Sequence, residues 1–306
     1  MLRFALRRIS GALVAIFFVT LVTFLFLHLL PGDPAWALLG RDATPARAAA
    51  LAAQMGLNLP LPLQYLRWVG LLVRGGGVAS GFFLVMPTLE FIVCGGGIAL
   101  LLAFGVAVLQ ERYRGSFADH AAGLVAYIFY TFPSFWLGLI LIYIFAFRVF
   151  WLPGSGPFGG PGSAGLAGWA YYMILPVATL ALTTVATWST HFRAAIAEAM
   201  RSDYVRTARA KGAGDGRILT RHVLRNVLLP IVAVIGMSIP SMFNNVVVLE
   251  WVFHMQGLGS GLLGSLIGMD YGFAVDIVFV IGLMTVVLSL LSDMLYAVVD
   301  PRIQFS

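Results

Sequence analysis

Residues 9–30 read Ile9-Ser-Gly-Ala-Leu-Val-Ala-Ile-Phe-Phe-Val-Thr-Leu-Val-Thr-Phe-Leu-Phe-Leu-His-Leu-Leu30, twenty-two residues without an Asp, Glu, Lys or Arg. A membrane-crossing helix needs about 20 mainly apolar residues. The run is longer than the apolar core of a cleaved signal peptide and ends in Leu-Leu-Pro-Gly-Asp-Pro rather than a small-residue cleavage site, so it predicts a retained anchor. Working outward, five more intervals have the same character. Residues 88–110 carry only Glu90 near one end, and 121–147, 170–190 and 227–249 carry no charge. The sixth, about 274–299, holds Asp276 near its start and Asp293 near its end. Six spans follow.

The composition agrees: of 306 residues 60% are hydrophobic and 10% charged, against about 45–50% and roughly 25% in soluble domains. Most of the surface must therefore face lipid or another apolar partner. The single cysteine, Cys94, excludes an internal disulfide and any multi-cysteine metal motif. Basic residues mark the cytoplasmic side, and they separate well. Arg3, Arg7, Arg8, Arg112, Arg114, eight residues between 191 and 226, and Arg302 place fourteen on one face, whereas Arg41, Arg47, Arg67, Arg74 and Arg148 place five on the other. Both termini are predicted to be cytoplasmic. The net charge of +6 is then a matter of topology, and no nucleic-acid partner is expected.

Segments 31–87, 148–170 and 250–275 fall outside. In the first, Pro45 after Thr44 starts an Ala-rich helix over 45–55. Residues 62–74 put Leu63, Leu66, Trp68, Val69, Leu72 and Val73 near one face, as in an interfacial or subunit-packing helix. The second outer segment is Gly/Pro-rich and predicts an irregular excursion.

Several chemistries are excluded by what is missing. The only lysine lies in Ala210-Lys211-Gly212, without a glycine-rich phosphate cradle, so the chain should not hydrolyse ATP by itself. His28, His120, His191, His222 and His254 have no metal-ligand spacing. Gly259-Ser260-Gly261 faces no intramembrane base and reads as a flexible turn rather than a hydrolase site. Glu90, Asp276 and Asp293 lie toward span ends, so the membrane interior lacks the paired charges of ion-coupled carriers. A stand-alone channel or ion-coupled carrier is thus the weaker alternative, and a membrane enzyme weaker still.

Eight of the nineteen basic residues crowd into the inner loop 191–226. Ser202 or Asp203 can cap a short helix from Tyr204 to Lys211, with Gly212 as a left-handed stop. On it Tyr204, Thr207, Ala208 and Lys211 share a small and aromatic face, while Arg206 and Arg209 point elsewhere. A second helical run, 216–227, leads into the fifth span. The result is a compact knob on two helical arms, suited to insertion into a groove of a cytoplasmic partner.

The stretch Asp203-Tyr204-Val205-Arg206-Thr207-Ala208-Arg209-Ala210-Lys211-Gly212, with Arg221-His222 and Leu224-Arg225-Asn226 before Leu229-Pro230, resembles the coupling loop of the membrane subunits of peptide/nickel-type ABC importers. Other segments are similar along the whole chain. They are Leu29-Leu30-Pro31-Gly32-Asp33-Pro34, Leu61-Pro62-Leu63-Gln64-Tyr65, Glu250-Trp251-Val252-Phe253, Gly257-Leu258-Gly259, Asp293-Met294-Leu295-Tyr296-Ala297 and Asp300-Pro301-Arg302-Ile303. The resemblance implies an all-α, polytopic, six-span permease of the type I-like ABC importer class in a bacterial inner membrane. Residues 1–87 would form the first span with its outer loop, and residues 88–306 a five-helix core. It also implies a second homologous permease, two cytoplasmic ATPase subunits that bind the ATP and Mg, and an extracytoplasmic substrate-binding protein. No cofactor is expected in this chain, and peptides, glutathione and nickel chelates are the implied substrates.

Carried over by position, the family's loop places its glycine at Gly212, its small residues at Thr207 and Ala208, and its glutamate at Arg206. ATPase coupling is therefore expected from Asp203, Tyr204, Thr207, Ala208, Lys211 and Gly212. Where the family shows a longer approach to the second span, this chain has Gly75-Gly76-Gly77-Val78-Ala79-Ser80-Gly81, which predicts a shortened outer end of the passage. Gly95-Gly96-Gly97 within that span allows close helix packing or local unwinding, and packing is the favoured reading. Uncharged polar and aromatic groups are the candidates for lining the passage: Ser241, Asn244 and Asn245, then Thr183, Thr184 and Thr187, then Phe132-Pro133-Ser134. Asn244 and Asn245 carry the strongest case, since two adjacent amides at membrane depth need partners or water.

Overall fold

A computed structural model describes residues 2–29, 34–39, 44–73, 79–157 and 165–299. Four sequence features fall partly or wholly outside these residues: the Pro31-Gly32-Asp33 segment, the glycine run from Gly75, the Gly/Pro-rich excursion over 158–164, and the Asp300-Pro301-Arg302-Ile303 tail. Every regular element among the described residues is helical. The chain runs α1 (Leu2–Leu29), α2 (Pro34–Leu39), α3 (Pro45–Met55), α4 (Leu61–Val73), α5 (Ala79–Phe82), α6 (Val85–Arg112) and α7 (Phe117–Thr131). It continues through α8 (Ser134–Ile142, prolonged by a π-turn to Arg148), α9 (Gly165–Met200), α10 (Asp203–Ala210), α11 (Asp215–Ile218), α12 (Leu224–Val252), α13 (Leu258–Ile267) and α14 (Tyr271–Val299).

Among the described residues five helices are long and apolar enough to cross a membrane: α1, α6, α9, α12 and α14. The remaining expected span, the third, differs from a single rod. Residues 121–147 form part of α7 and α8, which meet at a bend of 101°. Phe132 and Pro133 are both extended there (ψ 132° and 133°), because a proline bars its predecessor from helical geometry and removes a donor. Pro176, Pro230 and Pro240 sit inside continuous helices, and the Gly236 carbonyl freed by Pro240 accepts from Ser292 on α14.

The core is centred on α6 and α9, the most extensive helix pair. Gly95, Ala99, Ala103 and Ala107 lie four residues apart on the buried face of α6, so the two backbones approach closely. A Cβ at Gly95 would stand 2.5 Å from Leu180 Cδ2 on α9. The glycine run is uninterrupted helix; Gly95 and Gly96 pack against Leu180 and Met242, as expected, whereas Gly97 faces open space. Around this core the spans stay largely uncovered, with Val93 72% and Leu101 69% exposed, as in a protein solvated by lipid or by a partner.

The first outer segment contains α3, capped by Thr44 Oγ1, which accepts from Arg47 N, and stopped by Gly56 at φ 74°. Helix α4 folds back onto α1. Tyr65 pairs its hydroxyl with Thr20 at 2.7 Å, and Gln64 Oε1 meets His28 Nε2 at 3.0 Å while its amide donates to the Leu57 and Leu59 carbonyls. Trp68 completes the face against Phe24 and Phe279. The expected apolar face divides: Trp68 and Leu72 pack against the core, whereas Leu63 and Leu66 stay 51% and 63% exposed, open to lipid or a subunit; the polar Gln64 is buried because every amide atom is bonded.

Candidate functional site

The inner loop is shaped by four successive helical pieces. Helix α9 runs 36 residues to Met200, beyond the length of a span. Ser202 turns extended (φ −70°, ψ 157°) and begins α10, but its hydroxyl donates backward to the Ala199 carbonyl, so its side chain does not cap the helix. Asp203 in the first turn supplies the favourable charge instead. At the far end Gly212 has φ 82°. Its N–H donates to Arg209 O, and Ala213 N–H donates to Ala208 O. These two bonds make a Schellman closure, with the glycine in the left-handed position that suits a residue without Cβ. The chain then passes through α11 and a π-turn at Leu219–Val223 into α12, the second helical arm.

Val205 anchors the knob. It is fully buried and belongs to the cluster of Ile196, Ile218, Leu219 and Val223, with Ala208 and Ala213 packed at the edge. The outward side therefore carries Asp203, Tyr204, Thr207 and Lys211, whereas Ala208 is half-buried against the chain's own core. The small and aromatic face expected from helical spacing is thus turned, with Ala208 at its inner margin. Arg206 Nη1 reaches Asp203 Oδ1 at 3.4 Å, but both side chains are well exposed, and such a pair contributes little.

The passage candidates separate into two kinds. On α12, Met242, Phe243 and Val246 are buried whereas Ser241, Asn244 and Asn245 are exposed, giving a polar stripe on the face away from the core. Ser134 at the start of α8 donates to Asn245 Oδ1 at 3.4 Å, and Phe132 stacks on Trp136 at 5.1 Å, so the break in the third span lies beside that stripe. On α9, Thr183 and Thr184 bond back to carbonyls of their own helix, the ordinary habit of membrane threonines. Thr187 is exposed and lines a cavity of about 310 Å³ with Gln110, Tyr127, Tyr130, Thr190 and His191.

Two acidic residues carry more structure than their sequence context suggested. Glu250, at the outer end of α12, is fully buried and accepts from Gly259 N–H at 2.7 Å, while Thr88 Oγ1 accepts from Leu258 N–H at 3.1 Å. Together they satisfy the first donors of α13. Gly257 and Gly259 admit this contact: a Cβ at the first would overlap the Glu250 carboxylate, and at the second the Val247 carbonyl. Gly259-Ser260-Gly261 is consequently the first turn of a packed helix, not a flexible turn. A lone glutamate followed by Gly-x-Gly and an apolar run was the available signal. Asp119 accepts from Gly115 N–H at 2.9 Å and pairs with Arg193 at 2.8 Å, tying the start of α7 to the last turns of α9. Ser116-x-x-Asp119 is a capping pattern that could have marked it. Among the described residues no three His, Cys, Asp or Glu side chains gather as a metal would require.

Two family models together cover nearly all of the chain. Residues 95–305 match the binding-protein-dependent transport system inner membrane component, and residues 1–88 match the N-terminal part of such membrane components. The chain belongs to this family of inner-membrane transport components. It is therefore a multi-pass permease of the ABC importer type, not an enzyme. The permease is 32% identical to the dipeptide transport system permease protein of Escherichia coli K12, over 99% of both chains. It is 31% identical to the glutathione transport system permease protein of Pectobacterium atrosepticum and 30% identical to the oligopeptide transport system permease protein of Bacillus subtilis, each over the full length of both.

Proposed function

We propose that the permease forms, with a second homologous permease, the passage for a peptide-like substrate such as a di- or oligopeptide, glutathione or a nickel chelate. Two cytoplasmic ATPase subunits bind ATP and Mg and supply the energy, and an extracytoplasmic binding protein delivers the substrate. Both termini and the knob at 203–212 lie on the cytoplasmic side, in keeping with the fourteen to five division of basic residues. The observation that carries the reading is the knob itself. It is a short helix held by buried Val205 and a Schellman closure, with Tyr204, Thr207 and Lys211 exposed, at the junction of the arms leading into α9 and α12.

The proposed mechanism is a lever. Closure of the ATPase dimer moves the knob, and the stiff arms pass that motion to α9 and α12, which carry Thr187, Ser241, Asn244 and Asn245. Those groups, with Phe132, offer hydrogen bonds and aromatic faces without net charge, which suits a zwitterionic peptide passing through rather than binding tightly. Purification tests the assembly: the tagged permease should bring down two ATPase subunits and a second permease, and alone it should show no ATP turnover. Turnover by the isolated chain, or substrate flux through it when reconstituted alone, would overturn the reading.

A further inference from the structure

A groove of about 570 Å³ opens between the start of α1 and the end of α14, away from the knob and the polar stripe. Its polar end holds Arg7, Arg8 and Asp293. Among the described residues of the lining Asp293 is the one acid and is engaged by Arg8 at 2.8 Å, so these residues carry a net charge of +1. Arg7 is exposed and makes no ion pair among the described residues. From this cationic end the wall continues along small residues. Gly11 has open space where a Cβ would stand, and Ala15 follows one turn further into the membrane. Ser289 offers a hydroxyl on the facing wall. The flanks are apolar and uncovered, with Leu13 62% and Leu291 58% exposed.

Each part of this arrangement matches one part of a lipid. A guanidinium at a membrane surface binds a phosphate by charge-assisted hydrogen bonds, and basic pockets between the ends of spanning helices on the cytoplasmic side hold anionic headgroups. A soluble anion would have no use for the furrow beside Gly11 and Ala15, and a zwitterionic lipid would gain little from the net positive charge. We propose that this groove binds an anionic phospholipid, with the headgroup phosphate on Arg7 and one acyl chain along Gly11 and Ala15. The bound lipid would brace α1 against α14, the helix through which it chiefly meets the core. The inference rests on the membrane reading and not on transport.

The purified full chain tests it by native mass spectrometry and thermal melting, with phosphatidylglycerol, phosphatidylethanolamine of the same chains, or inorganic phosphate added. The expected result is retention of phosphatidylglycerol with a raised melting temperature, weaker retention of phosphatidylethanolamine, and no shift with phosphate alone. Arg7→Gln should weaken phosphatidylglycerol binding about fivefold, and Gly11→Leu, which fills the furrow without changing charge, should also weaken it. Arg217→Gln, removing an exposed charge from the inner loop, should leave it unchanged. Equal binding by wild type and Arg7→Gln, equal retention of the two lipids, or stabilisation by phosphate alone would overturn the proposal. Uptake is not the readout, so failure here leaves the transport reading standing, and failure of transport leaves this one.

Discussion

The segment that follows α12 and the knob that precedes it each turn on glycines, and the glycines are there for opposite reasons. At the outer end Gly257 and Gly259 have ordinary or extended backbone but no room, since a side chain would strike the Glu250 carboxylate and the Val247 carbonyl. At the inner end Gly212 has all the room a side chain needs but a left-handed backbone, φ 82° with nothing near its Cβ position. The outer turn is pinned into the bundle by a buried carboxylate, whereas the inner turn is closed on itself and leaves its surface to others. A glycine required by packing marks a fixed joint. A glycine required by conformation, in open space, marks a surface available to a partner.

Substitutions sharpen this contrast. Gly259→Ala should be the most damaging, because its Cβ meets backbone and not a flexible side chain; a loss of at least about 3 kcal/mol should appear as little folded protein in the membrane fraction. Glu250→Ala comes next. It leaves the Gly259 N–H buried without its carboxylate acceptor, and a loss of about 2–3 kcal/mol should lower the melting temperature, while Glu250→Gln, which keeps an acceptor oxygen, should lower it less. Ser238→Ala removes only the hydroxyl that accepts from Trp188 Nε1–H at 3.0 Å between α9 and α12, and about 1–2 kcal/mol is expected. The smallest effect on folding belongs to Gly212→Asp, at about 1 kcal/mol, because aspartate tolerates the left-handed region and no neighbour is struck. An inner substitution that unfolded the protein, or an outer one that did not, would break the contrast.

Hydropathy alone made five spans legible, since an uncharged interval of span length has few other solutions. The bend in the third span was not, because its apolar run continues through Phe132-Pro133-Ser134, and proline by itself decides little in a chain that keeps Pro176, Pro230 and Pro240 within helices. The knob was legible in its boundaries, from Ser202 to Gly212, because caps and stops are local. Its facing was not, because which side Val205 buries depends on Ile218, Leu219 and Val223, more than a dozen residues on. Glu250 escaped for the same reason: a carboxylate at the edge of a span reads as interfacial until α13 is seen folding back onto it. The stripe of Ser241, Asn244 and Asn245 was readable as polar; that it lies opposite Met242, Phe243 and Val246 and beside Ser134 needed the packing.

The central claim is that the knob at 203–212 transmits ATP-driven motion. ATP-dependent uptake of a labelled dipeptide into vesicles holding the complete assembly, comparing wild type with Gly212→Asp at matched membrane abundance, tests it most directly. The account predicts normal insertion and folding with uptake abolished, and uptake at the wild-type rate would contradict it.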